Sequence, residues 1–252
     1  MFVILGSLIC FPSFCGSYPH TGKLSPGVFE KSEDTFRILL ITGGHSFHKE
    51  SFYRMFYSFD GFIIDTITQP AANQSLLSDS IEMYDVIVFY DMWQDISDQE
   101  KEAFSVLTHK GTGLVFLHHS LASYQEWDTF TQIIGGKYYE KGYDYPDNRF
   151  SGYKHDIVMD VTVLDTKHPV TLGLKDFEIR DEGYSNIGVL SLVTPLLVTD
   201  HPDCSETIAW THNYNNSTVV YILLGHDNNA YSNDNFRKIV SNAIKWTGKN
   251  YD

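Results

Sequence analysis

RILLITGGHSFH, residues 37–48, joins a continuous apolar run to a Gly-Gly turn and two histidines. A run of that length, closed by Gly43-Gly44, reads as a strand buried on both faces and ending in a tight turn. A helix-like stretch follows from about Lys49 to Ser58, and Phe62–Ile67 is a second strand. The texture returns at Tyr84–Tyr90 (YDVIVFY) and at Gly113–His118 (GLVFLH). Between these two, Ser97-Asp98-Gln99-Glu100 has the pattern of a capping box, and the helix it starts stops at Lys110-Gly111. Strands alternating with helices predict an α/β fold with a parallel sheet.

Beyond this core the pattern shifts. Leu121–Ile134 reads as a helix, and residues 137–153, rich in Tyr, Gly and Asp, as a long surface excursion. His155–Leu164 alternates like a half-buried strand, and Phe177–Tyr184, Leu196–Thr199, Thr207–Tyr214 and Thr218–Leu224 are further strand-like runs. A closing helix, capped by Ser232 or Asn233, carries Phe236, Ile239, Val240, Ala243, Ile244 and Trp246 on one face and stops at Gly248. The prediction is one α/β domain over residues 36–252 with β-rich insertions, preceded by a leader and polar linker over 1–35.

Composition limits the partners. The 252 residues suit one well-buried core, and a net charge of −14 repels phosphate, so nucleic acid and anionic membranes are not expected as partners. Aromatic residues reach 15%, enough to build core and to stack on sugar rings. Three cysteines, Cys10, Cys15 and Cys204, form no disulfide framework and no zinc-finger spacing, so Cys204 reads as a structural thiol.

The start of the chain, MFVILGSLICFPSFC, holds an apolar run about as long as a signal-peptide core and too short to span a bilayer. The expectation is export to a periplasmic or extracellular compartment, although no Lys or Arg precedes the run. Asn73-Gln74-Ser75 and Asn216-Ser217-Thr218 fit the N-glycosylation sequon.

Ligands of open parallel sheets bind beyond the carboxyl ends of the strands. Those positions here carry Gly43 to His48, Asp91-Met92-Trp93-Gln94, His118-His119-Ser120 and Gly225-His226-Asp227. Histidines recur at three of the four ends. Arg180-Asp181-Glu182-Gly183-Tyr184 adds carboxylates at the end of another strand. A nucleophile elbow would fall at His118-His119-Ser120, which holds neither a Cys nor a GxSxG motif, so a Ser or Cys hydrolase is disfavoured. Two roles remain for the histidines. They ligate zinc or another divalent transition metal with Glu182, or they act as general acid and base on a sugar-like substrate.

These stretches, with Lys110–His119 (KGTGLVFLHH), His168–Leu174 (HPVTLGL), Val220–Asp227 (VYILLGHD) and Asn235-Phe236-Arg237, resemble the ThuA-like family, named for trehalose utilisation. The resemblance runs from about 36 to 248. It implies a flavodoxin-like parallel sheet flanked by helices, of the class I glutamine amidotransferase-like type, without the nucleophile. It also implies a role in disaccharide use, on oxidised (keto) sugars or related glycosides. The positions that match are His48, His118, Glu182, Tyr184 and His226, while His119 and the Asp227-Asn228-Asn229 run depart from the pattern.

The leading expectation is a carbohydrate-processing enzyme. His118, Glu182 and His226 would be catalytic, and His48, Trp93, His119, Tyr184 and Asp227 would contact the sugar. A metal, if bound, would be held by His48, His118, Glu182 and His226. The alternatives are a non-catalytic sugar-binding module and a metal-dependent hydrolase. The oligomeric state stays open.

Overall fold

The computed structural model describes residues 35–248. The leader, most of the linker, Cys10 and Cys15 lie outside the described residues. Strand β1 (Phe36–Gly43) leads through α1 (Lys49–Tyr57) to β2 (Phe62–Thr68). A short α2 (Ala71–Ser75) precedes β3 (Val86–Asp91), and α3 (Asp98–Lys110) precedes β4 (Gly113–Leu117). The expected capping box forms: Ser97 Oγ accepts from Glu100 N, and the Glu100 carboxylate accepts from Ser97 N at 2.7 Å. All residues of β3 and β4 are buried, as strands covered by helices on both faces must be.

The predicted Leu121–Ile134 helix is shorter than its sequence suggests. A 3-10 turn covers His118–Ala122, residues 123–127 are irregular, and α4 spans only Asp128–Ile134. Tertiary hydrogen bonds break the helix. Ser123 Oγ donates to Asp91 O and accepts from Trp93 N, while Tyr124, at φ +48°, donates its backbone N–H to Trp93 O. Two-residue β5 (Gly136–Lys137) follows, and then the excursion.

Strand β6 (Gly152–Val163) starts earlier than its alternation predicts. It continues to β7 (Phe177–Ser185), two-residue β8 (Gly188–Val189), β9 (Thr194–Val198), β10 (Thr207–Tyr214) and β11 (Ser217–Ile222). One turn of helix, α5 (Asn228–Ser232), precedes α6 (Asp234–Thr247), capped by Asn233 and ended at Gly248. Its buried face, Phe236 to Ile244, packs on β3, β4 and β11, and each large side chain there contributes about 1.5–3 kcal/mol by leaving water.

The main sheet has the order β2-β1-β3-β4-β11-β10-β9-β6-β7. The first five strands are parallel and the rest pair antiparallel. This is the expected α/β fold, a flavodoxin-like parallel sheet with a β-rich addition. Only Thr162 and Val163 of β6 pair with β9, so most of the β6–β7 ribbon runs free of the sheet. It curls back over the carboxyl edge. Asp181 of β7 bonds the backbone of Gly225 and His226 just past β11, although three strands separate β7 from β11 in the order. Among the described residues no helix is long and apolar enough to cross a membrane.

Candidate functional site

The parallel strands deliver their carboxyl ends to one edge. There β4 turns sharply into His118, whose φ of +50° puts a non-glycine residue in the left-handed region. That conformation costs about 1–2 kcal/mol and marks a position that the surrounding structure holds in place. The elbow is thus present, with an imidazole where a nucleophile would stand. Ser120, on the same turn, is fully buried and presents no hydroxyl to a substrate.

His118 is held from several sides. Its Nδ1 donates to Leu223 O at 2.6 Å, and its backbone carbonyl accepts from the Tyr221 hydroxyl at 2.9 Å. A carbonyl only accepts, so Nδ1 carries a proton and Nε2 faces the site. Around Nε2 stand the Tyr184 hydroxyl at 3.0 Å, His226 Nδ1 at 3.2 Å and Glu182 Oε1 at 3.3 Å.

Glu182 arrives on the ribbon. Its neighbour Asp181, 3% exposed, accepts N–H groups from Gly225 at 2.7 Å, His226 at 3.0 Å and Glu182 at 2.8 Å. One buried carboxylate therefore ties the strand carrying Glu182 to the turn carrying His226. Opposite Glu182 the ribbon has a β-bulge. Lys154 pairs with Gly183 and Ile157 with Asp181, so His155 and Asp156 together face Glu182. Asp156 sits at φ +57°. Bulges re-aim side chains, and here His155 Nδ1 comes within 2.5 Å of Glu182 Oε2.

Burial opposes charge on His118, but the Glu182 hydrogen bond and the Asp181 and Glu182 carboxylates outweigh it, and its pKa is raised. Burial likewise opposes charge on Glu182, yet the surrounding imidazoles, His118 first, hold its pKa below the usual range. The two shifts agree on an ion pair. Burial, then the His118 charge, lowers the pKa of His45, His226 and, most strongly, His119. Burial pushes Asp181 up to about 6, against the three N–H groups that favour its anion.

A cavity of about 260 Å³ opens beside the cluster, walled by His45, His119, Tyr138, Tyr153, His155 and Glu182. A larger cavity of about 570 Å³ lies between Trp93 and Trp127. Of its four charged residues, Glu100 serves the capping box and Lys101 pairs with Asp98. The smaller cavity is the one that meets reactive groups.

Of the residues expected at the site, His118, His119, Glu182, Tyr184 and His226 come together, and three do not join them. His48 lies exposed at the start of α1, and its carbonyl accepts from Phe52 N and Ser51 Oγ. Trp93 lines the larger cavity. Asp227 caps α5 by accepting from Asn229 N at 2.8 Å. Each stands next to a strand end in sequence, but the turn geometry points it elsewhere. Sequence reading passed over His45, whose ring lies tilted 4.7 Å from that of His119, and His155, whose ring is 4.7 Å from His226. His45 was legible in the Gly-Gly-His turn, whereas the bulge that aims His155 leaves no mark in a sequence.

The ligating atoms of His118, Glu182 and His226 all lie within 4.8 Å of one another. Two imidazoles and a carboxylate suit zinc or a similar divalent ion, and the Leu223 carbonyl supplies the outer hydrogen bond typical of a ligating histidine. His48, expected as a fourth ligand, is not in this group. Cys204 is a free, half-buried thiol, pushed up to about 11 by burial, as a structural cysteine should be. The Asn73 sequon is closed in the fold: Asn73 is 3% exposed and its side chain is bonded to Gln69, Tyr124 and Asp95.

The ThuA family, described as trehalose utilisation, matches residues 37–247. No curated protein matches the chain. A ThuA-like protein from Parabacteroides merdae superposes with a TM-score of 0.69 at 18% identity, covering 85% of this chain and 90% of that one. One from Bacteroides uniformis gives 0.63 at 18% identity, with 90% and 95% covered. A cytoplasmic protein from Salmonella typhimurium gives 0.59 at 12% identity, with 83% and 98% covered. At these identities the likeness shows the fold alone.

The Salmonella neighbour, and a second one from the same organism also described as cytoplasmic, run against the expected export. The export reading is therefore withdrawn. It rested on residues outside the described region and on an apolar run that lacks the basic residues a signal peptide places before it. The match over residues 37–247 takes in nearly every described residue, and with it this chain belongs to the ThuA family, whose description ties it to carbohydrate use.

Proposed function

We propose that this chain is a carbohydrate-processing enzyme acting on a disaccharide or an oxidised (keto) sugar through His118, Glu182 and His226. One observation carries the reading. His118 Nδ1 is committed as a donor to Leu223 O, so Nε2 faces the Tyr184 hydroxyl at 3.0 Å, His226 Nδ1 at 3.2 Å and Glu182 Oε1 at 3.3 Å. The buried Glu182 carboxylate beside that nitrogen favours a positive centre there, either a proton on His118 or a metal ion.

With a proton there, His118 is a buried acid paired with Glu182, and the pair can give and take a proton at a sugar oxygen. Tyr184 and His155 hold the two partners in register. Were a metal bound there, His118, His226 and Glu182 would hold it. A divalent ion so held would supply Lewis-acid polarisation of a hydroxyl or carbonyl oxygen. In both cases Asp181 keeps the Glu182 strand and the His226 turn together.

The test is metal content of untagged protein before and after chelation, together with a thermal-shift screen against keto-sugars and disaccharides. We expect about one ion per chain, lost in both His118→Ala and Glu182→Gln, and at least one sugar whose turnover falls about 100-fold in those variants. Absence of metal in the untreated protein selects the proton reading. A sugar-processing activity that survives His118→Ala, Glu182→Gln and His226→Ala unchanged would sink the proposal. Saturable sugar binding without turnover would make the chain a binding module.

A further inference from the structure

Three side chains meet the backbone of the turn that carries His226. Asp181 accepts both of its N–H groups, from Gly225 at 2.7 Å and from His226 at 3.0 Å. Both of its carbonyls face tyrosine hydroxyls. The Tyr90 hydroxyl, from β3, lies 2.8 Å from Gly225 O, and the Tyr231 hydroxyl, from α5, lies 3.0 Å from His226 O. The two hydroxyl oxygens are 2.7 Å apart. Each hydroxyl has one proton and a carbonyl only accepts, so one proton lies between the two oxygens and the other reaches the turn. Either Tyr231 donates to Tyr90 and Tyr90 to Gly225 O, or Tyr90 donates to Tyr231 and Tyr231 to His226 O. In both arrangements a chain of two hydroxyls ends on the turn.

Packing does not call for those hydroxyls. Tyr90 and Tyr231 are buried, and Phe52 of α1 packs on both rings, at 4.2 Å and 5.3 Å between centroids. Phenylalanine at either position would fill the same space and bury no polar atom that needs a partner. The turn, by contrast, needs holding from outside. Gly225 sits at φ +122°, and a Cβ there would stand 2.8 Å from the Phe236 ring, so the position takes only the most permissive residue. Holding the N–H and the carbonyl of His226 fixes the direction of its Cα–Cβ bond. That direction puts Nδ1 3.2 Å from His118 Nε2 and 3.6 Å from Glu182 Oε2.

Resting on the metal arm of the reading above, we infer that the Tyr90–Tyr231 hydroxyl pair is a positioning device that holds His226 in place as an ion ligand. It touches neither the ion nor a substrate.

Cobalt(II), whose visible bands report the geometry of its ligands, is the probe, titrated into the full untagged chain. Wild type should take up about one ion per chain, and His226→Ala should weaken uptake at least about 100-fold, beyond what an outer-shell change costs. Tyr90→Phe and Tyr231→Phe should each weaken it about tenfold and shift the bands, with Tm lower by about 2–4 °C. Tyr124→Phe is the structural control. It removes an equally buried hydroxyl, bonded to Asn73 at 2.6 Å and Gln69 at 3.1 Å, and should lower Tm by a similar amount while leaving uptake and bands as in wild type. Added to His226→Ala, Tyr231→Phe should cost no further affinity, because it acts through that imidazole. Wild-type affinity and bands in both Tyr90→Phe and Tyr231→Phe, or an equal loss with and without His226, would overturn the positioning role and leave the three-ligand site standing. No uptake by wild type, or uptake that His226→Ala leaves unchanged, would end the metal arm and the inference with it.

Discussion

The parallel half of the sheet and the β6–β7 ribbon contribute to the same cluster by different physical means. The parallel strands β1, β4 and β11 deliver His45, His118 and His226 because all parallel strands end at one edge. Nothing but strand direction is needed. The ribbon delivers Glu182, Tyr184, His155 and Tyr153 only because it leaves the sheet, curls back and is fastened by Asp181. The parallel half sets where a site can be, and the ribbon sets what chemistry it has, since the one carboxylate of the cluster comes from there.

Asp181→Ala should break the ribbon's contribution most sharply. It removes the acceptor that ties the strand carrying Glu182 to the Gly225–His226 turn. Glu182 is then no longer held beside His118 and His226. The expected result is a loss of about 10- to 100-fold in ion or sugar affinity by titration, with circular dichroism unchanged, because the parallel core is untouched. Retained affinity would mean that the ribbon only covers a site built by the parallel half.

A second measurement stays inside the parallel half. Asp91, at the end of β3, is 1% exposed, and burial pushes its pKa to about 7. A carboxyl whose folded pKa is raised binds its proton more tightly in the native state. Stability is therefore full below the unfolded pKa near 4 and is lost as pH rises through about 7. Asp91→Asn should be neutral at pH 4 and more stable than wild type by about 2 kcal/mol at pH 8, read by urea denaturation. An equal effect at both pH values would show that the carboxylate is not ionised at a cost in the fold.

The smallest effect belongs to His48, a strand-end histidine that stays outside the cluster. His48→Ala should change stability by no more than about 0.5 kcal/mol and leave ion content and sugar binding as in wild type. A clear loss of either would bring the α1 turn into the site and shrink the difference between the two halves.

Much of the parallel half was legible. RILLIT, YDVIVFY and GLVFLH are apolar runs that only a doubly covered strand accommodates, and the Ser97–Glu100 box starts its helix where the pattern places it. The irregular stretch at 123–127 was not, because tertiary hydrogen bonds from Ser123 and Tyr124 override a helical pattern. Trp93 and Asp227 were read as sugar contacts because they follow strand ends, but adjacency to a strand end does not fix where a side chain points.

By itself, the sequence determined the α/β class, the parallel core, the strand ends at which histidines gather and the membership of a carbohydrate-linked family. These depend on hydrophobic periodicity and turn residues, which act over a few positions of chain. Only the tertiary structure decided which of those histidines meet, that Glu182 and His155 join them, and that His119 is buried against the rings of His45 and His118. Those outcomes depend on the curl of a ribbon, a one-residue bulge and the left-handed turn at His118. Each arises from contacts between residues far apart in the chain, which local patterning does not encode.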